Sequence, residues 1–397
     1  MGKLKKFPYQ IGVGGLILSD YEKELVGRVL LSNRLTYGPV TKQFESDFAR
    51  LHDCRFALFM NSGTSALHLA VAALKEVHGW ADEDEVIVPA VTFVATSNIV
   101  LHNKMTPVFV DVEPDTFNID PSKIEEKITK RTRAIIPVHL LGLPATMDPI
   151  LELAKTYHLQ IIEDSCECMF AKYKGRSVGT FGSIACFSTY VAHLIVTGVG
   201  GIATTNDPEL AVVLRSLMNH GRDSIYISCT DDQGVGGSEL EEIISKRFSF
   251  VNLGHSFRCT ELEAALGLGQ LRRKAFIMNR RKNIAGRFTK GLSNLQEHLQ
   301  LPVCPKDRTH AYMLYGLVTK RGGKKKLVSY LENLNIETRD ILPLINQPIY
   351  RRLFGNLEPK YPVARRINDN AFYIGCHPFM TDEEIGFVVE AFQQYYK

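Results

Sequence analysis

Between residues 55 and 206 the chain alternates short runs rich in β-branched residues with stretches of helical periodicity. RFALFM, EVIVPAV, PVFVDV, RAIIPVHL, LQIIEDS, SIACFST and GGIATT read as strands, and SALHLAVAALKEV, PSKIEEKIT and MDPILELAKTYH read as amphipathic helices. Strands that are apolar on both faces must be covered on both faces. The pattern therefore predicts an α/β fold with a mostly parallel sheet between helices. No repeat recurs at a fixed period, which excludes a solenoid.

After about residue 207 the character changes. Residues 228–240, SCTDDQGVGGSEL, have the composition of a surface loop. From Thr260 to about Leu292 an apolar stripe with a basic opposite face predicts one long helix. A smaller α+β part follows, with strand AYMLYGLVT and helices KKLVSYLENLN and TDEEIGFVVEAFQQYY. The expected division is a large cofactor-binding α/β domain over 1–255, including the N-terminal segment, and a linking helix with a small C-terminal α+β domain over 256–397. No Pro- or Gly-rich linker separates them, so they are expected to pack tightly.

Of the 397 residues, 45% are hydrophobic and 23% charged, enough for a sizeable core and against disorder. Lys plus Arg number 47 against 43 Asp plus Glu, and a net charge of +4 is too weak for a nucleic-acid footprint. The basic run at 320–326 reads as a solvated loop between a strand and a helix. No apolar stretch approaches the ~18 residues of a membrane span. The start, MGKLKKFPYQ, lacks the apolar region of a signal peptide and the Ser or Thr at position six that myristoylation prefers. Cys54, Cys166, Cys168, Cys186, Cys229, Cys259, Cys304 and Cys376 are scattered, several within apolar runs. That usage suits a reduced, cytoplasmic enzyme or binding protein better than a disulfide framework.

Three segments carry chemistry. NSGTS at 61–65, between a strand and a helix, offers hydroxyls and helix N-terminal N–H groups to an anion, although an ordinary N-cap has the same composition. Glu163 and Asp164 end strand LQII, where acids of open α/β sheets face the ligand crevice. A buried Asp there can pair with the protonated ring nitrogen of a pyridine cofactor. FSTYVAH at 187–193, followed by GVGG at 198–201, can add hydroxyls to the same anion and allow close backbone approach.

In this order the segments resemble the DegT/StrS-type sugar aminotransferases, which have the aspartate-aminotransferase fold (fold type I) and use pyridoxal phosphate. The resemblance spans nearly the whole chain and includes NSGTSALHLA, VIVPAVTFVAT, PVFVDVEPDTFNIDP, IIEDSCE, FGSIACFS, TELEAALGLGQL and IETRDILPL. It implies that Ser62, Gly63 and Thr64 form the phosphate loop and that Phe93 stacks on the cofactor ring. Asp164 then faces the ring nitrogen, Glu167 stands where the family has a Gln, and Ser188 is a further phosphate ligand.

At the family's Schiff-base lysine this chain has His193. An imidazole has no primary amine to condense with an aldehyde, yet its pKa suits it to proton transfer. The run Tyr190-Val-Ala-His193 resembles a branch of the family, the pyridoxamine-phosphate-dependent 3-dehydrases of deoxysugar biosynthesis. There the cofactor amine condenses with the 4-keto group of a nucleotide-linked 6-deoxyhexose, the His takes a proton from the cofactor's C4′, and the C3 hydroxyl leaves. One type of dehydrase holds a [2Fe–2S] cluster. Cys166 falls on its first ligand, but Ser224 and Tyr226 fall on the next two and 230–240 contains no Cys. Four thiolates are needed, so the resemblance implies the cluster-free type, recharged by L-glutamate, with no metal.

Further departures are Ser256 for the Asn that reaches the cofactor phosphate across the dimer, Val199 for a Glu, and Thr189 for a Phe. The expected assembly is a homodimer with sites at the subunit interface, and Arg339 is a candidate substrate anchor. Two alternatives stay open: an aminotransferase whose lysine has been lost or replaced, and a non-catalytic binding protein of the same fold.

Overall fold

The computed structural model describes residues 4–223, 234–246 and 248–397. Strands β1 (Phe56–Met60), β2 (Glu85–Pro89), β3 (Thr106–Val110), β4 (Thr132–Ile135), β5 (Gln160–Asp164), β6 (Lys172–Tyr173), β7 (Arg176–Ser177), β8 (Ile184–Ser188) and β9 (Gly201–Thr205) occupy the first half. β6 and β7 form a separate hairpin; the other seven make one sheet in the order β1-β9-β8-β5-β4-β2-β3. All neighbours are parallel except those of β9, which runs antiparallel to β1 and β8. β2 and β8 are buried along their whole length, as two-sided apolar strands must be.

The helices that cover the sheet follow from local signals. Ser62 caps helix Gly63–His78 by accepting from the Ser65 N–H, and Gly79 ends it in the left-handed conformation. The expected helix at PSKIEEKIT does not form. Its apolar residues are only Ile124 and Ile128, too few for a buried stripe, and the segment makes two 3-10 turns, Pro121–Lys123 and Glu125–Lys127. The expected loop at 228–240 is corrected at its end, where helix Gly237–Lys246 begins. Its first part, with Ser224 and Tyr226, lies outside the described residues.

The second half holds a four-stranded antiparallel sheet, order β10-β11-β13-β12, made of β10 (Leu299–Gln300), β11 (Leu314–Thr319), β12 (Thr338–Asp340) and β13 (Ala371–Gly375). The single long helix expected from Thr260 is two helices, Glu261–Arg272 and Lys274–Gly291. Both start on the main core, the second through Ile277, and only the second goes on to the small-sheet core. The first packs against helices Asp20–Ser32 and Pro39–Leu51, while Ile284, Ala285 and Phe288 of the second join the small-sheet core. Phe7 and Ile11 also join that core. The division at 255/256 stays a proposal, and the N-terminal segment reaches across to the small-sheet core. No described helix is long and apolar enough to cross a membrane. The described cysteines are free.

Glu261 ties the first helix to its neighbours. Helix Pro39–Leu51 starts at Gly38 and has no side-chain cap. The buried Glu261 carboxylate substitutes for one by accepting the N–H groups of Gly38 (2.8 Å), Val40 (3.0 Å) and Thr41 (2.9 Å). Gly267 lets the same helix lie against Phe44, since a Cβ there would sit 2.5 Å from the ring. Glu261→Ala strands three buried donors and should lower stability by about 3 kcal/mol. Glu261→Gln, which keeps one acceptor, should lose less. Denaturant unfolding of the two variants checks this; a loss below about 1 kcal/mol for Glu261→Ala would mean the donors find other partners.

Candidate active site

At one edge of the main sheet the carboxyl ends of β1, β2, β5 and β8 meet the start of antiparallel β9. A cavity of about 410 Å³ lies there, closed from the small domain by Met313, Leu314 and Tyr373. Of the residues expected in the site, Ser62, Gly63, Thr64, Phe93, Asp164, Glu167, Ser188 and His193 all line it. No Lys or Arg does.

The anion end is built by close approach. Gly201 opposes Met60 and Ser188 in the sheet, and a Cβ on it would lie 2.2 Å from the Ser62 carbonyl carbon. A Cβ on Gly63 would lie 2.8 Å from Ser188 Cβ and 2.9 Å from Cys166 Sγ. Only glycine at both positions lets the N-terminus of helix Gly63–His78 sit against the end of β8, so that its first N–H groups and the Ser62, Thr64 and Ser188 hydroxyls converge.

Strand alternation separates the paired acids. Glu163 is a structural anchor: it accepts the N–H groups of Gly179 (2.8 Å), Phe181 (2.7 Å) and Gly182 (2.8 Å), and the Nε2–H of His139 (3.1 Å). That tautomer follows because His139 Nδ1 accepts from the Ala145 N–H. Asp164 faces the cavity. Burial pushes its carboxyl above the usual range, against the Thr96 hydroxyl (2.7 Å) and the Cys166 N–H (3.2 Å) that hold it. The Thr92 hydroxyl, 2.7 Å from that of Thr96, extends the chain. Thr96, buried and four residues after Thr92, carries a site role that the sequence reading missed; the only signal was the Thr-x-x-x-Thr spacing beside Phe93.

Phe93 lines the cavity and is 57% exposed, so its ring can stack on a planar group. Glu167 accepts from the Leu141 N–H at 2.7 Å, and burial pushes its carboxyl up to about 7. His193 sits in a turn pinned by mutual contacts of its ends. Thr189 N–H donates to Gly200 O (2.9 Å), Thr197 N–H donates to Thr189 O (2.9 Å), and the two threonine hydroxyls lie 2.6 Å apart. The ring Nδ1 lies 3.3 Å from Ser188 O, a carbonyl that can only accept, and the Cys166 main chain is a second hydrogen-bond partner of the ring. Burial pushes His193 down to about 4.

Ser256 and Arg339 are not brought into this cavity. Ser256 accepts from Arg258 (2.9 Å) beside Asn219, and Arg339 pairs with Glu337. Arg339 is opposite Tyr373 across the β12–β13 pair, so its nearest link to the cavity is through that neighbour.

A buried carboxylate on a two-hydroxyl relay, an exposed aromatic ring and a hydroxyl-lined helix N-terminus suit the ring nitrogen, ring plane and phosphate of a pyridine-phosphate cofactor. Among the described residues no cluster of three His, Cys, Asp or Glu could hold a metal. The chain is 33% identical over 96% of its length to dTDP-4-dehydro-2,6-dideoxy-D-glucose 3-dehydratase of Saccharopolyspora spinosa, spanning 85% of that protein. It is 32% identical to GDP-perosamine synthase of Escherichia coli O157:H7, over 96% of each chain. Its fold matches that of E. coli GDP-4-keto-6-deoxy-D-mannose-3-dehydratase with bound hydrated PLP, with a TM-score of 0.87, 26% identity and coverage of 96% and 99%. Residues 17–393 match the family described as the DegT/DnrJ/EryC1/StrS aminotransferases, and the chain belongs to it.

Proposed function

We propose that the protein removes the C3 oxygen of a nucleotide-linked 4-keto-6-deoxyhexose. Pyridoxamine phosphate and pyridoxal phosphate are the cofactor, L-glutamate restores its amine, and no iron–sulfur cluster takes part. The observation that carries the reading is that His193 lines the cavity while, among the described residues, no Lys does; by the family resemblance His193 takes the place of the Schiff-base lysine. A Schiff base to the protein then has no amine to form from, while a neutral imidazole is ready to accept a proton.

Bound here, the cofactor supplies an amine for the 4-keto group and a ring that withdraws electrons from C4′. Asp164 holds the proton on the ring nitrogen and so strengthens that withdrawal. Ser62, Gly63, Thr64 and Ser188 hold the phosphate, Phe93 stacks on the ring, and Glu167 fills the family's Gln position near it. His193 would be the group that accepts the proton from C4′, beside the C3 carbon that loses its hydroxyl. With the nitrogen released as ammonia, an amino donor would be consumed each turnover.

The exposed apolar residues Phe248, Val251 and Leu253, the last 96% exposed, are the proposed surface for a second copy. That copy would bring its Ser256 toward the phosphate, which accounts for Ser256 lying outside its own chain's cavity. Arg339 stays the proposed substrate anchor, one strand pair from the cavity.

Transamination of the same class of sugar is the second reading, supported by the equal similarity to a perosamine synthase and to a 3-dehydratase. The imidazole argues against it. Replacing His193 by Asn keeps hydrogen bonding but removes the basic nitrogen. C3 dehydration should fall by about 10²- to 10⁴-fold while cofactor and sugar still bind. Near-normal dehydration in His193→Asn would move the base elsewhere. His193→Lys should take up pyridoxal phosphate as a yellow protein that borohydride converts to a stable mass adduct, whereas the natural chain should show none. An adduct on the natural chain would sink the lysine-free reading.

A further inference from the structure

Arg281, on helix Lys274–Gly291, lies within the helix that was read as having a basic outer face, yet it is 2% exposed. A guanidinium is rarely buried without a carboxylate, because desolvating the charge is costly. Among the described residues none pairs with Arg281. Its partners are main-chain carbonyls instead: Nη1 donates to Met313 O (2.7 Å), Cys376 O (3.0 Å) and Tyr312 O (3.3 Å), and Nη2 donates to His193 O (3.0 Å). Its Nε has no hydrogen-bond partner. One planar fork therefore joins the ends of β11 and β13 to the turn that carries the imidazole.

We infer that Arg281 is a positioning residue for His193, gripping its main-chain carbonyl from the small domain and so setting where the ring stands in the cavity wall. The inference rests on His193 being the working base.

The placement is specific. Among the described residues, Arg281 is the small-domain hydrogen-bond partner of His193: its other hydrogen bonds go to Tyr190 O and Ser188 O within its own turn and to the Cys166 main chain after β5. On the other side, the N-terminal segment closes the turn, since a Cβ on Gly14 would lie 3.1 Å from Ala192 Cα. The turn is thus held between the N-terminal segment and Arg281. A domain shift that moved β11 and β13 would carry the guanidinium, and through it the base.

The same charge acts through space. Arg281 disfavours a second positive charge on His193, adding to the effect of burial, and it acts likewise on His377. The titratable groups sharing the cavity with His193 are Asp164, Cys166, Glu167, Tyr190 and Tyr373. Asp164 and Glu167 are anionic when ionised, and Arg281 opposes their pull on an imidazolium proton. The guanidinium itself is pushed down to about 10 by burial and stays charged at neutral pH.

The test is an NMR titration of histidine ring signals in cofactor-free full-length protein, with His193 assigned by its absence in His193→Asn. It is paired with kcat and KM of the loaded enzyme. In folded Arg281→Met the His193 midpoint should rise by about one pH unit and its ring resonances should shift. kcat should fall at least about tenfold with KM nearly unchanged, as expected when a positioned base is loosened. Arg281→Lys keeps the charge but not the fork, so the midpoint should return toward that of the natural chain while kcat stays low. A merely structural arginine would lower the unfolding temperature and leave both the midpoint and the resonances of the folded protein in place; that result overturns the inference. If Arg281→Met fails to fold, Arg281→Lys decides, and an unchanged kcat with unchanged His193 resonances overturns it. If His193→Asn keeps full C3 dehydration while Arg281→Met still moves the His193 midpoint, the base assignment fails and the Arg281–His193 coupling stands.

Discussion

The close approach of Gly201 to the main chain of Ser62 and Gly63 is the contact on which the site depends. β9 runs against the direction of its neighbours, so its first residue reaches the same sheet edge as the last residues of β1 and β8. With a side chain at 201, that edge would have to open. The helix start at Gly63, the Ser188 hydroxyl and the turn bearing His193 would then no longer converge. The remaining features follow from this edge: β5 delivers Asp164 to it, and the segment after β2 brings Phe93 across it.

The electrostatics of the cavity are unusual for a site expected to hold phosphate. Among the described residues its lining holds two carboxyls and an imidazole but no Lys or Arg. Anion binding therefore falls to helix N–H groups and hydroxyls within the chain, and any cation must come from outside its own cavity wall. The buried charge that does lie close, Arg281, sits behind His193 and is spent on carbonyls. This arrangement favours a neutral base facing a carbon acid over a site that neutralises charge by side-chain cations.

Much of this was legible in the sequence because two-sided burial leaves a strong mark. All seven strands read from 55–206 form, within a few residues of their expected ends, since continuous apolar runs have no other place to go. The eight candidates that line one cavity were legible from their order along the chain rather than from any one motif, whereas Ser256 and Arg339 lie outside it. Packing between distant segments left no local mark. The stripe from Thr260 to Leu292 is continuous in period, yet it divides at Arg273, and only from Ile284 on does it face the small-sheet core. Arg281 has the same local pattern as the exposed arginines around it, and only the approach of β11 and β13 buries it. Thr96 likewise gains its role from β5, which is 68 residues away.

The most direct measurement of the central claim is the product formed from a nucleotide-linked 4-keto-6-deoxyhexose by the protein with pyridoxamine phosphate and L-glutamate, read by mass spectrometry and NMR. The account predicts loss of the C3 oxygen, retention of a carbonyl at C4, and release of ammonia together with 2-oxoglutarate. A 4-amino sugar that keeps its C3 hydroxyl, formed at a comparable rate, would contradict it.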